Sequence, residues 1–326
     1  WLRELFERQD LDLGKFIAPG YFTKASARQM PDAHRRAFFE SLERSTHLSE
    51  AILKEDVGNQ DARFLRGSAE GLLAAFSYTI DRSKMEAIGH AKKAYRDHRG
   101  LLAENPEYYD AYMGVGLYEY IVDNLRWYVK WLAKIVGYRG SEERGIEYLE
   151  LAREKGLSVP DEASVLLMVV YFREKKNRDA LAIAGELHRR FPRNFLFHLN
   201  QGQILERMRR KQDAVQTYLA VVRLAEEQRP NYQKLPLETF RYALGRRLVR
   251  LSRPDVARQQ FLDCTEYSKT PARERALCHL EAGLILDEKG SREKALSHYN
   301  AVLSLPRVGD SHKKARRYLK RPYRGK

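Results

Sequence analysis

Apolar residues recur along this chain at three- and four-residue intervals, in short blocks that break at polar positions and then resume. One block is written twice. "HLNQGQILERM" begins at His198 and "HLEAGLILDEK" at His279, and pairing the two histidines also pairs Gly202 with Gly283 and Leu205 with Leu286. The match runs on through Ala214 with Ala295, Tyr218 with Tyr299 and Val221 with Val302, across breaks near Arg210–Lys211 and Gly290–Ser291. Each copy therefore predicts two short antiparallel helices. The small residue at Gly202 or Gly283, facing Ala214 or Ala295, lets the backbones approach, and the tyrosine one turn later fills the seam. No run alternates long enough to predict a strand.

The same register returns at Leu244-Gly245, Leu248, Ala257 and Phe261, and again at Leu167, Tyr171, Ala180 and Pro192. Tyr112, Val115 and Gly116 supply another first helix. A small residue, an aromatic four residues after an alanine, and a closing proline resemble the tetratricopeptide repeat (TPR) family. Across its length, and in ending near Pro322-Tyr323-Arg324, the chain resembles uncharacterised bacterial TPR-containing proteins. The resemblance implies an all-α fold, a right-handed α-solenoid of antiparallel helix pairs forming a TPR-like superhelix. The expected organisation is a single solenoid over 1–326. A degenerate N-terminal pair with a long loop covers 1–60, with "WLRELFER" as its first helix, and a long-helix repeat covers 61–106. A repeat interrupted by an inserted amphipathic helix, 124–138, covers 107–159. Four ordinary repeats follow at 161–194, 195–232, 236–271 and 273–306, and a basic capping helix and tail close the chain at 311–326.

Composition changes this picture little. With 43% hydrophobic and 32% charged residues the chain is too apolar for disorder, and no apolar run is long enough to predict a spanning helix. The chain opens on Trp1 rather than methionine, which points to residues removed ahead of it, so a missing leader excludes no compartment. Relatives with signal peptides slightly favour an extracytoplasmic location, periplasmic or envelope. Cys264 and Cys278 are the only cysteines. Without a CxxC or metal-like spacing they read as two buried free thiols, with one disulfide as the alternative. Net charge is +15, but Ser311–Lys326 alone holds eight basic residues and no acid. Such clustering weakens the case that the whole surface is a nucleic-acid footprint.

Catalytic patterns are absent from the sequence. In "GYRGSEERG" Gly140 and Gly145 have the separation of a phosphate loop, but Ile146 and Glu147 replace the required Lys and Ser/Thr. The stretch reads as a turn in which Ser141 caps the next helix and Glu142 and Glu143 favour its positive end. "RGSAEG" is not a nucleophile elbow. His90 and His98 stand too far apart along one helix to share a metal, and read as solvent-facing or locally bonded side chains. A deep polar pocket placing either beside a carboxylate would revive an enzymatic reading. The expectation is no enzyme, no cofactor, no metal and no small-molecule substrate.

Two surfaces are candidates for partners. In "RWYVKWLAKIVGY" a basic amphipathic helix would present Trp127, Lys130, Trp131 and Lys134 for docking. That helix could pack on the chain itself, self-associate, bind a partner or touch a membrane peripherally. The TPR resemblance implies a second surface, a groove along the first helices. Its offsets select Leu117, Tyr120, Val169, Phe172, Leu199, Gln203, Glu206, Arg207, Tyr242, Arg246, Arg250, Leu280, Leu284 and Asp287. The Lys and Asn clamp of carboxylate-tail binders is missing, since Met113, Val165, Leu199, Tyr242 and Leu280 hold those positions, with Asn200 the only asparagine. Arginine forks match carboxylates, so Phe172, Gln203, Arg207, Tyr242, Arg246 and Arg250 form the candidate groove for an acidic or carboxylate-bearing protein segment. The bland reading pairs these arginines with Glu206 and its neighbours on a solvated face. Nucleic-acid or anionic-surface binding through the basic groove and tail is the alternative function, with nucleic acid disfavoured because no base-reading code repeats along the helices.

Overall fold

A computed structural model of the chain describes residues 32–81, 83–124 and 140–325. Among them are fourteen α-helices and no strand. "WLRELFER" and most of the inserted segment, including Trp127, Lys130, Trp131 and Lys134, lie outside the described residues.

The helices form two compact units, one ending at Arg190 and the other beginning at Phe191. The first holds α1 (Asp32–Glu55), α2 (Gln60–Phe76), α3 (Lys84–Glu104), α4 (Ala111–Asp123), α5 (Glu142–Lys155), α6 (Pro160–Arg173) and α7 (Asn177–Arg190). Each helix packs on the next in sequence. The pairs are antiparallel. Arg63 bonds Glu104 while Arg66 bonds Asp97 and Glu70 bonds Lys93, so α2 and α3 run in opposite directions. The core of this unit gathers Phe64, Leu101, Ala111, Ala152, Val159 and Ala163. Ser141 caps α5 as expected, its hydroxyl accepting from the Arg144 amide at 3.2 Å. Asp110 ties the α5–α6 turn to α4, its carboxylate accepting from the amides of Leu157, Ser158 and Val159.

The second unit holds α8 (Phe195–Arg207), α9 (Lys211–Glu226), α10 (Leu237–Arg250), α11 (Pro254–Glu266), α12 (Ala272–Glu288), α13 (Arg292–Leu303) and α14 (Ser311–Lys320). Close approach at a glycine organises its three helix pairs. A methyl group on Gly202 would lie 2.5 Å from the Tyr218 ring, on Gly245 2.4 Å from the Phe261 ring, and on Gly283 2.6 Å from the Tyr299 ring. Only glycine leaves room for an aromatic ring laid flat against a helix backbone. Tyr218, Phe261 and Tyr299 are almost wholly buried there, each contributing roughly 2–3 kcal/mol of apolar burial.

Variants of this notch extend into the first unit. His98, four residues after Ala94, fills the notch of Gly67, where a methyl group would meet its ring at 2.6 Å. Between α4 and α5 the ring is dispensed with. Gly116 and Gly145 bring backbone against backbone, and a methyl group on either would meet the other's carbonyl at 2.8 Å. In α6–α7 the sizes are exchanged, with Met168 at the glycine's place and Ala184 at the ring's, both fully buried.

The turn inside each of these later pairs is also repeated. Lys175, Arg209, Ser252 and Gly290 all take the left-handed conformation, with φ of 62°, 60°, 61° and 76°. After α8, α10 and α12 the following amide bonds back across the turn, from Arg210 to Leu205, Arg253 to Leu248 and Ser291 to Leu286.

The cysteines correct the sequence reading. They are not free thiols but a disulfide joining Cys264 of α11 to Cys278 of α12, with the two Cα atoms 6.2 Å apart. The short turn between these helices brings the two positions face to face, a geometry that fourteen residues of separation does not announce.

The basic C-terminal helix covers the last pair. Ala315 is fully buried, and Tyr318 and Leu319 pack on the core of Leu280, Leu286, Ala295, Tyr299 and Val302.

Candidate functional site

α10 carries the densest part of the predicted groove. Leu237, Arg241, Leu244, Gly245 and Leu248 turn inward at helical spacing, which leaves Arg246, Val249 and Arg250 exposed. Arg246 Nη1 donates to the Tyr242 hydroxyl at 3.2 Å and to Glu281 Oε1 of α12 at 3.2 Å. The Arg246 side chain is still 52% exposed, whereas Glu281 is 20% exposed. Burial raises the Glu281 carboxyl above its ordinary range, and Arg246 and Lys314 pull against that rise. The face therefore already seats one carboxylate on the Arg246 guanidinium and keeps donors of that fork in solvent. Arg250, a turn along, is exposed and forms no ion pair with a described residue.

The remaining groove positions divide. Phe172 and Gln203 are buried, at 5% and 6% exposure, and present no surface to a ligand. Tyr120, Leu199, Leu280 and Asp287 are buried as well. Offsets that suit an open wall fail here because adjacent helices close over these positions. Arg207 is half-buried at the end of α8. Phe172 belongs to the first unit, and the other five candidate residues to the second.

Glu206 also finds its partner, and that partner is Arg247, which the sequence reading passed over. The Arg247 guanidinium lies 3.4 Å from the Glu206 carboxylate, donates to the Tyr218 hydroxyl at 2.8 Å and sits 5.4 Å from that ring's centre. Glu281 was missed too. Its signal is a charged residue among apolar ones in "HLEAGLIL", one position off the offsets used.

Elsewhere, His90 Nδ1 lies 2.6 Å from Glu70, which also accepts from Lys93 at 3.1 Å. His98 is buried against the Phe64 carbonyl at 3.1 Å. The first histidine thus does have a carboxylate beside it, but among the described residues no hydroxyl or thiol is bonded to the pair. No group of three or more metal-binding side chains occurs among the described residues, and no described helix is long and apolar enough to cross a membrane.

None of the curated proteins compared with the chain matches it. Among solved structures it is similar to human IFIT1 bound to PPP-AAAA, at 16% identity and a TM-score of 0.38, covering 86% of this chain and 58% of that one. It is similar to yeast Tom70 at 14% identity and 0.38, covering 90% and 61%. A third similarity is to the Cut9–Hcn1 hetero-tetramer of the APC/C, at 16% and 0.36, covering 87% and 52%. The chain thus spans about three-fifths or less of these three structures. A tetratricopeptide repeat family model matches residues 169–229, which take in the Ala180 and Gly202–Tyr218 registers. The chain therefore carries tetratricopeptide repeats over residues 169–229, a helical scaffold typical of protein–protein interaction.

Proposed function

We propose that the chain is a non-enzymatic scaffold that binds an acidic or carboxylate-bearing protein segment on the exposed face of the second unit, at Arg207, Tyr242, Arg246 and Arg250. The observation that carries this reading is the Arg246 fork, half exposed while it holds Glu281. A ligand carboxylate of better geometry would share or displace that partner, and Arg250 and exposed Val249 would extend the contact along α10. Phe172 and Gln203 drop out of the proposed contact because they are buried. Arrayed peptides of matched length, acidic and neutral, test the reading. The wild-type chain should enrich acidic peptides, and the R246A/R250A variant should lose affinity about ten-fold or more. Equal binding by the two chains would overturn it.

The compartment we propose is one outside the reducing cytosol. The Cys264–Cys278 disulfide supports this, since such bonds persist where the surroundings are oxidising. Trapping thiols in cells with an alkylating reagent before lysis tests it, and two alkylated cysteines per chain would count against it.

A further inference from the structure

We infer that α14 is an electrostatic docking face for an anionic phospholipid surface. Lys313, Lys314, Arg316, Arg317, Lys320 and Arg321 are all exposed, and none forms an ion pair with a described residue. Elsewhere in the unit several cations are matched, Arg241 with Glu226, Arg246 with Glu281, Arg247 with Glu206 and Arg292 with Asp287, and unmatched ones such as Arg250 and Lys211 are scattered, whereas here six stand within nine residues. Lys313, Arg316, Arg317 and Lys320 stand at i, i+3, i+4 and i+7, so they share one side of the helix, over about 10 Å of its length.

The opposite side holds α14 rigidly. Ala315 is fully buried, the Arg292 guanidinium donates to the Leu319 carbonyl at 2.9 Å, and the Tyr323 amide donates to Asp287 at 2.9 Å. Capping a repeat array requires a polar outer face, but mixed charges would serve that purpose with less self-repulsion. A favourable interaction with the helix dipole explains cations in the last turn, and not Lys313 or Lys314 in the first. A single sign of charge, fixed on a rigid face and held in no ion pair with a described residue, is complementary to a polyanion.

Two observations favour lipid over nucleic acid. The aromatic side chains of the cap are engaged inward, Tyr318 with Tyr299 at 5.8 Å and with Tyr323 at 5.3 Å, so no ring is offered for stacking a base. The buried disulfide points to an oxidising compartment, where membranes rather than nucleic acids are the abundant polyanions. No large apolar side chain of α14 is exposed. The contact is therefore made at headgroup level and is reversed by salt.

Co-sedimentation with vesicles tests this. The chain should bind vesicles one-third phosphatidylglycerol at low ionic strength, should ignore pure phosphatidylcholine, and should dissociate in about 0.5 M salt. Each neutralised cation should lower the partition coefficient about five-fold, so K313Q/R316Q/R317Q/K320Q should abolish sedimentation while keeping the wild-type melting transition. The charge-matched control R189Q/R193Q/K211Q/K269Q, at exposed positions outside α14, should retain most of it. Equal loss in both variants, or no vesicle binding at all, would overturn the inference. So would tighter binding to single-stranded DNA or poly-glutamate at the same ionic strength.

Discussion

Tyr218 donates its hydroxyl to Glu206, at 3.0 Å, from twelve residues further along the chain, and Tyr299 does the same to Asp287 at 2.9 Å across the same spacing. Gly245 seats Phe261, which has no hydroxyl, and the position equivalent to the acid holds exposed Val249. Ring and acceptor therefore change together. Replacing Glu206 by Val leaves the buried Tyr218 hydroxyl without its acceptor and takes a carboxylate from beside the Arg247 guanidinium, which still donates to that hydroxyl, and should cost about 2–3 kcal/mol. Tyr218→Phe alone should cost about 1 kcal/mol. The double variant recreates the Val249–Phe261 arrangement and should be less destabilised than the sum of the two by about 1 kcal/mol. Urea denaturation of the four chains measures this coupling, and strict additivity would refute it.

The glycine notches predict opposite effects for two chemically identical substitutions. Gly202→Ala places a methyl group 2.5 Å from the Tyr218 ring, which has no room to retreat, and should cost about 1–3 kcal/mol. Gly89 lies within α3, where a methyl group would meet nothing within 4 Å. Gly89→Ala should therefore stabilise by about 0.5–1 kcal/mol through the unfolded chain. Thermal melts of both variants decide the matter by sign alone.

Where ring and glycine recur at ordinary spacing, as at Gly202–Tyr218 and Gly283–Tyr299, periodicity alone reveals the helix pair and its seam. The notch of Gly67 was hidden because long helices separate it from His98, and because histidine is not expected to take an aromatic's place in a core. The Met168–Ala184 exchange was hidden for a different reason, since the notches that hold a ring carry the small residue on the first helix and the large one on the second. Candidate site residues were less legible than the fold. Helical spacing places a residue on a face, but burial depends on how closely the neighbouring helix approaches, and so Phe172 and Gln203 are enclosed while Arg246 is open.

The Cys264–Cys278 disulfide closes a short loop between two helices that also pack on each other. Restricting the unfolded chain across fourteen residues is worth about 3 kcal/mol in the loop-entropy model. C264A/C278A should lower the stability of the second unit by roughly that amount, and reductant should bring the wild-type chain to the same midpoint once unfolding exposes the bond. Both sulfur-bearing residues are wholly buried, so reduction of the folded chain should be slow. If urea transitions with and without reductant coincide for the wild-type chain, the disulfide contributes nothing, and the proposed oxidising compartment loses its support.

His279 and His298, on α12 and α13, share one hydrogen bond, Nδ1 to Nδ1 at 2.9 Å. One ring must donate and the other accept, so the pair holds together only while at least one is neutral. Burial lowers the His279 imidazole to about 4, helped by His298 and Arg275, and burial lowers His298 as well. Between the ordinary histidine value and those depressed values the unfolded chain binds more protons than the folded one. Stability from the pair is thus full at neutral pH and is lost as pH falls from about 6.5 towards 4, on the order of 2 kcal/mol. Glu281, with its raised carboxyl, contributes in the opposite sense, and buried His98, lowered by desolvation, contributes in the same sense. The comparison that isolates the pair is therefore wild type against His298→Gln. The variant keeps a polar group beside His279 but cannot be charged, so its unfolding free energy should fall less steeply between pH 6.5 and 4.5. Parallel pH profiles for the two chains would mean that the pair does not set the acid sensitivity of this unit.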